Sequence, residues 1–376
     1  MSRPPRVLHL TTALGGDGAS RSLQALVDHR SRPWHARLCT LRRTEESALR
    51  TELDMPGPSA RPSAIGAWLH LARAVRRWRP DVLHTQLSRA DWLGRVAGVC
   101  FGIPVVSTIQ NVHSRMYRAE FGPVAARVGI WLDRITIPLA ARLVAVSAAV
   151  ADDLRRFGAR AVDVIPNGID IEELGCDVPR AEARRLMSIG EGEFAVVALS
   201  LLKPQKGIDL LVRAAECLGT RGAGMRVLVF GEGPERGRLE AMIRKPAPGG
   251  ARVELRGWRP AARQWLRGAD AFVMPSRWEG LPVALLEAMA RGLPCVVTSV
   301  AGIEDIAVDG ANAWVVPAEN PGALAMGLAR LREEPERAAQ LGRRAALEAA
   351  QRFAVERVIE AYARLFQGLG RRRSGG

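Results

Sequence analysis

Lysine is nearly absent from this 376-residue chain, occurring only at Lys203, Lys206 and Lys245. The formal charge of +15 is therefore carried almost wholly by arginine, a bias that genomic base composition also produces, so charge alone identifies no partner. Long apolar runs are absent as well. The longest, residues 135–151, is interrupted by Pro138 and Arg142 and falls short of the roughly 20 residues that span a bilayer, which argues against a transmembrane helix. The apolar run at 7–14 is broken by His9 and two threonines, and no small-residue cleavage site follows, so it reads as a first strand rather than a signal peptide. Cys39, Cys100, Cys176, Cys217 and Cys295 are odd in number and scattered, with no Cys-x-x-Cys pair and no Cys/His cluster. That excludes a zinc site and a disulfide framework; reduced core thiols in a cytoplasmic protein are expected. Neither an Asp-x-Asp pair nor a His/Asp/Glu cluster supplies the oxygen ligands of a Mg²⁺ site, so no metal is expected. RNP-like strands and helix-turn-helix signals are missing too, which leaves nucleic-acid binding supported by charge alone.

What is present is an ordinary globular composition, 48% apolar and 25% charged, at a length that fits two domains. Short apolar runs alternate with helical periodicity, the pattern of parallel sheets built from βαβ units. Strands are expected at 6–12, 35–41, 81–85, 104–110, 143–147 and 162–166. A second set is expected at 194–202, 225–231, 252–257, 271–275, 294–298 and 313–316. Helices are expected between them at 20–30, 63–78, 89–100, 122–140, 148–157, 208–218, 234–244, 261–268 and 283–291, and the chain after Pro321 reads as helical to about Gly368. The fold class is therefore α/β, with two doubly wound domains facing across a cleft. The divisions are 1–170, 171–350, and a C-terminal helix at 351–376 expected to pack back on the first domain before a basic tail. The charge is lopsided: residues 1–168 hold 24 arginines against 13 acidic residues, a net of +11, and the remainder holds 30 basic against 26 acidic, a net of +4.

Chemistry concentrates in Pro275-Ser276-Arg277-Trp278-Glu279-Gly280-Leu281-Pro282 and the apolar helix after it. A strand ends there, and Pro282 is a favoured first helical residue. Glu279 thus falls at the carboxyl end of a strand, where open parallel sheets bind ligands. Glu287 lies on the first turns of Leu-Leu-Glu-Ala-Met-Ala, where a carboxylate needs a partner such as a ligand hydroxyl. Leu14-Gly15-Gly16-Asp17-Gly18 follows the first strand and opens a helix. It lacks the third glycine of a dinucleotide fingerprint, and strand two ends in Leu41-Arg42-Arg43 rather than an acid for a ribose.

Glu279-x₇-Glu287, set in Ser-x-x-Glu-Gly-Leu-Pro and Glu-Ala-Met-Ala-x-Gly-x-Pro, resembles the signature of the family 4 glycosyltransferases, which have the GT-B fold of two facing Rossmann-like domains. Val229-Phe230-Gly231-Glu232-Gly233-Pro234-Glu235, the linker Val164-Ile165-Pro166-Asn167-Gly168-Ile169-Asp170 and the turn Lys206-Gly207-Ile208-Asp209 are similar to that family in the same order, so the likeness covers most of the chain. The resemblance implies a retaining, metal-independent transferase with no cofactor, which takes a nucleotide-diphosphate sugar. Lys206 would meet the diphosphate, Glu279 the sugar or its phosphate, and Glu287 the ribose hydroxyls. Gly231, Gly233 and Gly257 would admit the nucleotide closely, with Lys203, Gly280 and Leu281 beside it. Gly15 and Gly16 would close over the diphosphate.

The family usually has an arginine where this chain has Leu201, with Lys203 nearby, and often a histidine where it has Gln110, with His113 three residues on and His84 a weaker candidate. Ala301-Gly302-Ile303-Glu304-Asp305 stands where the family usually has Gly-Gly-x-x-Glu, with Asp305 at the acid position. On the acceptor side, tryptophans and arginines at 65–79 and 115–134 fit an interfacial pattern. The acceptor is accordingly expected to be lipid-linked or a polysaccharide in envelope or exopolysaccharide synthesis. The protein is expected to be cytoplasmic and peripheral on the inner face of the plasma membrane. The alternatives are a GT-B nucleotide-sugar epimerase and a degenerate donor-binding homologue.

Overall fold

The computed structural model describes residues 3–43, 54–59, 61–173, 178–243 and 250–374. Cys176, Arg244 and the last two residues of the expected tail lie outside these. The chain forms two compact units, Met1–Gly168 together with Val355–Gly376, and Ile169–Ala354.

In the first unit, strands β1 (Arg6–Thr11), β2 (His35–Thr40), β3 (Asp54–Met55), β4 (Val82–Gln86), β5 (Val105–Ile109), β6 (Arg142–Ala145) and β7 (Val162–Val164) form one parallel sheet in the order β3-β2-β1-β4-β5-β6-β7. The central strands β4 and β5 are buried along their whole length, as expected of a sheet covered on both faces. Where strands hand over to helices, Asp17, Ser63 and Ser147 accept the backbone N–H groups of Ser20, Gly66 and Val150, which satisfies helix donors that lack partners in the helix. The second unit holds β8 (Phe194–Leu199), β9 (Met225–Phe230), β10 (Arg252–Gly257), β11 (Ala271–Met274), β12 (Cys295–Ser299) and β13 (Trp314–Pro317), parallel in the order β10-β9-β8-β11-β12-β13. Winding leaves β8 in one direction and resumes at β11 in the other. Ligands of open α/β sheets bind at such a reversal.

Every strand expected from the apolar runs is present to within a few residues. Among the described residues, one strand and two α-helices were not expected: β3 and the short polar helices His113–Glu120 and Arg180–Leu186. Residues 261–268 are not an α-helix but turns leading into a 3₁₀ segment, Gln264–Gly268. Arg180 takes the carbonyls of Arg267 and Ala269, and Arg184 that of Gly268, which serve the segment's end in place of a further helical turn. The thiols also differ from expectation. Cys39 and Cys295 are buried, but Cys100 and Cys217 are exposed. Trp68 stacks on Phe101 with ring centroids 6.2 Å apart and packs on the core, while Ile65 and Leu69 of the same helix are exposed.

The helix Val355–Ser374 supplies Val355, Val358, Ile359, Tyr362 and Phe366 to the first unit's core. A buried polar relay fixes it there. Trp34 Nε1 donates to His9 Nε2 (3.3 Å), so neutral His9 carries its proton on Nδ1 and gives it to His84 Nδ1 (2.8 Å). His84 Nε2 then donates to Thr108 Oγ1 (2.8 Å), which bonds the Tyr362 hydroxyl (2.7 Å). His84 is thus part of the core beneath Tyr362 and Phe366 rather than a site residue. Burial pushes it down to about 3, and burial with its histidine neighbour holds His9 far below the usual histidine range. A second proton on either ring would set donor against donor.

Both histidines take up protons on unfolding at pH values where the native pair does not, so stability is full above about pH 6.5 and falls as pH drops toward 3. Scanning calorimetry should show Tm declining from pH 6.5 to 4.5. The double variant His9→Gln/His84→Gln should start lower at neutral pH and decline less steeply; an equal decline would refute this assignment.

Candidate functional site

Two loops meet at the winding reversal of the second unit: residues 200–207 after β8 and residues 275–282 after β11. They are stitched together from backbone to side-chain tips. Arg277 N–H donates to Gln205 O (2.8 Å), and Gln205 Nε2 donates to Trp278 O (2.9 Å). Arg277 grips Asp209 with two parallel bonds of 2.8 and 2.9 Å and also donates to Pro204 O (2.7 Å). Burial would raise the Asp209 carboxyl, but the Arg277 guanidinium outweighs it and holds the group below its usual range. The Lys206 ammonium completes the seam, lying 2.7 and 2.8 Å from the two Glu279 carboxylate oxygens. Glu279 is 4% exposed and also accepts from Ser276 Oγ (2.6 Å). Thr298 of β12 holds the Ser276 carbonyl (2.6 Å).

This seam explains why Gly207 follows Lys206. Its φ is +63°, and a Cβ there would come within 2.0 Å of Pro275 O. The chain can turn from Lys206 into helix Ile208–Leu218 against the β11 loop only without a side chain. Beside it, Gly231 N–H bonds Gly257 O (3.0 Å), tying the ends of β9 and β10, and a Cβ on Gly231 would meet Ser200 O at 1.8 Å. A Cβ on Gly233 would come within 2.4 Å of Leu202 O. Gly280 and Leu281 are buried, and Lys203 caps the turn Pro204–Lys206. Leu201, where an arginine was expected by likeness, is exposed.

Glu287 is 5% exposed on the wholly buried face of helix Val283–Ala290. Its Oε1 lies 3.9 Å from Arg263 Nη1, and Arg263 also pairs with Glu173. Sequence reading missed Arg263, which stands in no motif; it missed Ser276, Gln205 and Arg277 as supports, although two of them are inside the quoted loop. Asp305 is half-buried and Glu304 bonds Ser299 Oγ (2.7 Å).

The remaining candidates lie in the first unit. The loop after β1 holds Gly15, whose N–H donates to Ser20 Oγ (3.0 Å), and exposed Gly16. Gln110 is half-buried at the end of β5. His113 is buried, with Nδ1 2.7 Å from Asp133 Oδ2. Burial acts to lower it, but Asp133 overrides burial and His113 stands above its usual value. Asp133 also accepts from Tyr117 (2.8 Å), Trp92 (2.9 Å) and Arg95 (3.3 Å), and is held down at about 2 despite burial. His113 therefore anchors the start of helix His113–Glu120 in a charge cluster. Among the described residues no group of three or more His, Cys, Asp or Glu side chains could hold a metal ion, and no helix is long and apolar enough to cross a membrane.

Comparison with known proteins bears on the family and the fold. The family model Glycosyltransferase Family 4 matches residues 16–173, and that for glycosyl transferases group 1 matches 193–334. An Escherichia coli UDP-Gal:alpha-D-GlcNAc-diphosphoundecaprenol alpha-1,3-galactosyltransferase is 25% identical over 62% of this chain and 62% of its own length. A D-inositol 3-phosphate glycosyltransferase of Pseudarthrobacter chlorophenolicus is 27% identical over 77% and 72%. The chain thus spans less than two thirds of the first of these relatives. Among solved structures, Anabaena HepE in complex with UDP and glucose superposes with a TM-score of 0.82 at 20% identity, covering 97% of this chain and 100% of that one. Sucrose-phosphate synthase from Thermosynechococcus elongatus gives 0.79 at 19%, over 97% and 99%. The fold is GT-B.

Gly207→Ala should cost about 3 kcal/mol, since it adds both a backbone clash and an unfavourable φ. Its melting transition should fall by roughly 5–10 °C. Gly237→Ala, in open space on a helix, should leave Tm unchanged or slightly raised. Equal Tm values for the two variants would show that the seam is not close-packed.

Proposed function

The chain belongs to the family 4 glycosyltransferases, and from that premise we propose that it moves a sugar, with retention of anomeric configuration, from a nucleotide-diphosphate donor to a lipid-linked or polysaccharide acceptor of the cell envelope. The observation that carries this reading is the Lys206–Glu279 pair at the winding reversal, beside the amino end of helix Ile208–Leu218. An ammonium has three N–H donors and Glu279 accepts two, so one is left for a phosphate oxygen without Lys206 losing its position. Helix N–H groups add to it where charge grows on the leaving group. Glu279 acts in this scheme as the group that aims Lys206 and reaches the sugar. Glu287, beside Arg263, takes the ribose hydroxyls. Gly231, Gly233 and Gly257 let the nucleotide lie against the backbone. The solved complexes of HepE with UDP and with UDP-glucose support a donor of this chemical class.

In the transfer, the bond from the anomeric carbon to the phosphate oxygen breaks and the bond to the acceptor oxygen forms on the same face. The acceptor hydroxyl proton passes to the departing phosphate. Lys206 stabilises the anion as it forms. Gly15, Gly16, Gln110 and His113 are the first unit's candidates for this reaction, His113 through its hold on the loop that carries Gln110. No step requires a metal ion. The protein would work at the inner membrane face, where lipid-linked acceptors are presented.

A thermal-shift panel of nucleoside diphosphates and their sugars tests the donor: at 100 times Kd a ligand should stabilise by ~2.7 kcal/mol. Glu287→Ala should keep the fold and lose this shift together with transfer. Donor incubated without acceptor should return unconverted. A panel with no shift, wild-type transfer by Glu287→Ala, or sugar conversion without acceptor would each overturn the proposal.

A further inference from the structure

The helix Pro123–Thr136 carries its polarity the wrong way round for a surface helix. Its buried face consists of Ala126, Gly129, Asp133 and Thr136, whereas Val124 (72%), Val128 (50%), Trp131 (59%) and Ile135 (46%) are exposed. Their spacing of four, three and four residues makes one continuous outward stripe. Exposed Phe121 and Leu139 extend it at either end, and Val96 and Val99 are exposed on helix Ser88–Phe101, which packs alongside.

The helix is not free to roll this stripe inward. Asp133 is fixed by His113, Tyr117, Trp92 and Arg95, and Arg95 also donates to Thr136 (3.2 Å). Gly129 lies so close to Tyr117 that a Cβ would sit 2.8 Å from the ring. Turning the helix would strip partners from a buried carboxylate, which costs far more than an exposed valine. The cluster on the inner face therefore holds the apolar stripe outward.

The exposed charges of this helix are Arg127 and Arg134, with Arg115 and Arg118 exposed on the preceding helix; its single acid is the buried Asp133. We propose that this face docks on an anionic phospholipid surface, with Trp131 and its aliphatic neighbours entering the headgroup layer and the arginines meeting lipid phosphates. Among the described exposed side chains of the two helices the charge is of one sign, which selects this occupant. A second copy would set arginine against arginine across a twofold axis, and a nucleic acid gains nothing from Val124, Val128 and Ile135. The inference rests on the membrane setting of the function proposed above, but its test needs neither donor nor acceptor.

The full chain should co-sediment with vesicles of phosphatidylcholine mixed with phosphatidylglycerol and not with phosphatidylcholine alone. Arg127→Ser/Arg134→Ser should weaken binding about thirtyfold, at ~1 kcal/mol per basic residue. Val128→Ser/Trp131→Ser should abolish it, and quenching by brominated lipid should fall in Trp131→Phe. All these positions are exposed, so Tm should stay at the wild-type value. No binding to anionic vesicles, wild-type binding by the serine variants, or a dimer that Val128→Ser/Trp131→Ser converts to monomer would overturn the inference. Loss of glycosyl transfer with vesicle binding intact would instead count against the proposed function.

Discussion

The seam between the loops after β8 and β11 is the constraint on which the second unit's chemistry depends. Parallel strands bring two loop ends side by side at a winding reversal, but nothing in a sheet dictates how those loops fold over its edge. Here four residues do so. Arg277 and Asp209 form a paired, largely buried clamp, and Lys206 and Glu279 form another one turn away. Burying ions is justified energetically only when their hydrogen-bonding capacity is nearly filled, and Ser276 serves Glu279 in this way while Pro204 and Glu319 serve Arg277. The cation is thereby held in place before any ligand arrives, which is the arrangement that lowers reorganisation when charge develops.

The first unit uses buried polarity differently. The cluster of Arg95, His113, Asp133 and Asp91 balances two basic against two acidic groups inside the helical layer, with Asp91 pushed up to about 6 by burial. The histidine relay does the opposite, keeping both rings neutral and using their single protons as directional links to Thr108 and Tyr362. One device fixes the roll of a helix and the other the docking of the last helix.

Much of this was legible in the sequence, and the reason is physical. Strands covered on both faces are mostly apolar, so β8 stands out as an unbroken run and β9 as a run broken only by Arg226, while β4 and β5 begin apolar and then carry the polar residues His84-Thr85-Gln86 and Ser107-Thr108. Glu287 stood out because a carboxylate on an apolar helix is costly without a partner, Glu279 because it follows a strand end, and the Lys206-Gly207 turn only through its likeness to the family. The helix His113–Glu120 was not legible: His-Ser-Arg-Met-Tyr-Arg-Ala-Glu has no apolar stripe, since its buried contacts are made by His113 and Tyr117 to one carboxylate. Arg263 reaches Glu287 from turns where the sequence suggests a regular helix, so its direction could not be read. Periodicity revealed that helix Pro123–Thr136 is amphipathic but could not say which side is buried, because that choice is made by Asp133 and its partners on other elements.

The path of the chain has a consequence for biogenesis. It leaves the first unit after Gly168, builds the whole second unit, and returns at Val355 to supply Tyr362 and Phe366 beneath the central strands. The second unit is one uninterrupted stretch and has everything it needs once Ala354 has been synthesised. The first unit, though translated earlier, waits with one flank of β1 and β4 uncovered until the final helix leaves the ribosome. The usual order in which amino-terminal domains mature ahead of those that follow is reversed here, and a nascent-chain chaperone would find its substrate in the half that was made first.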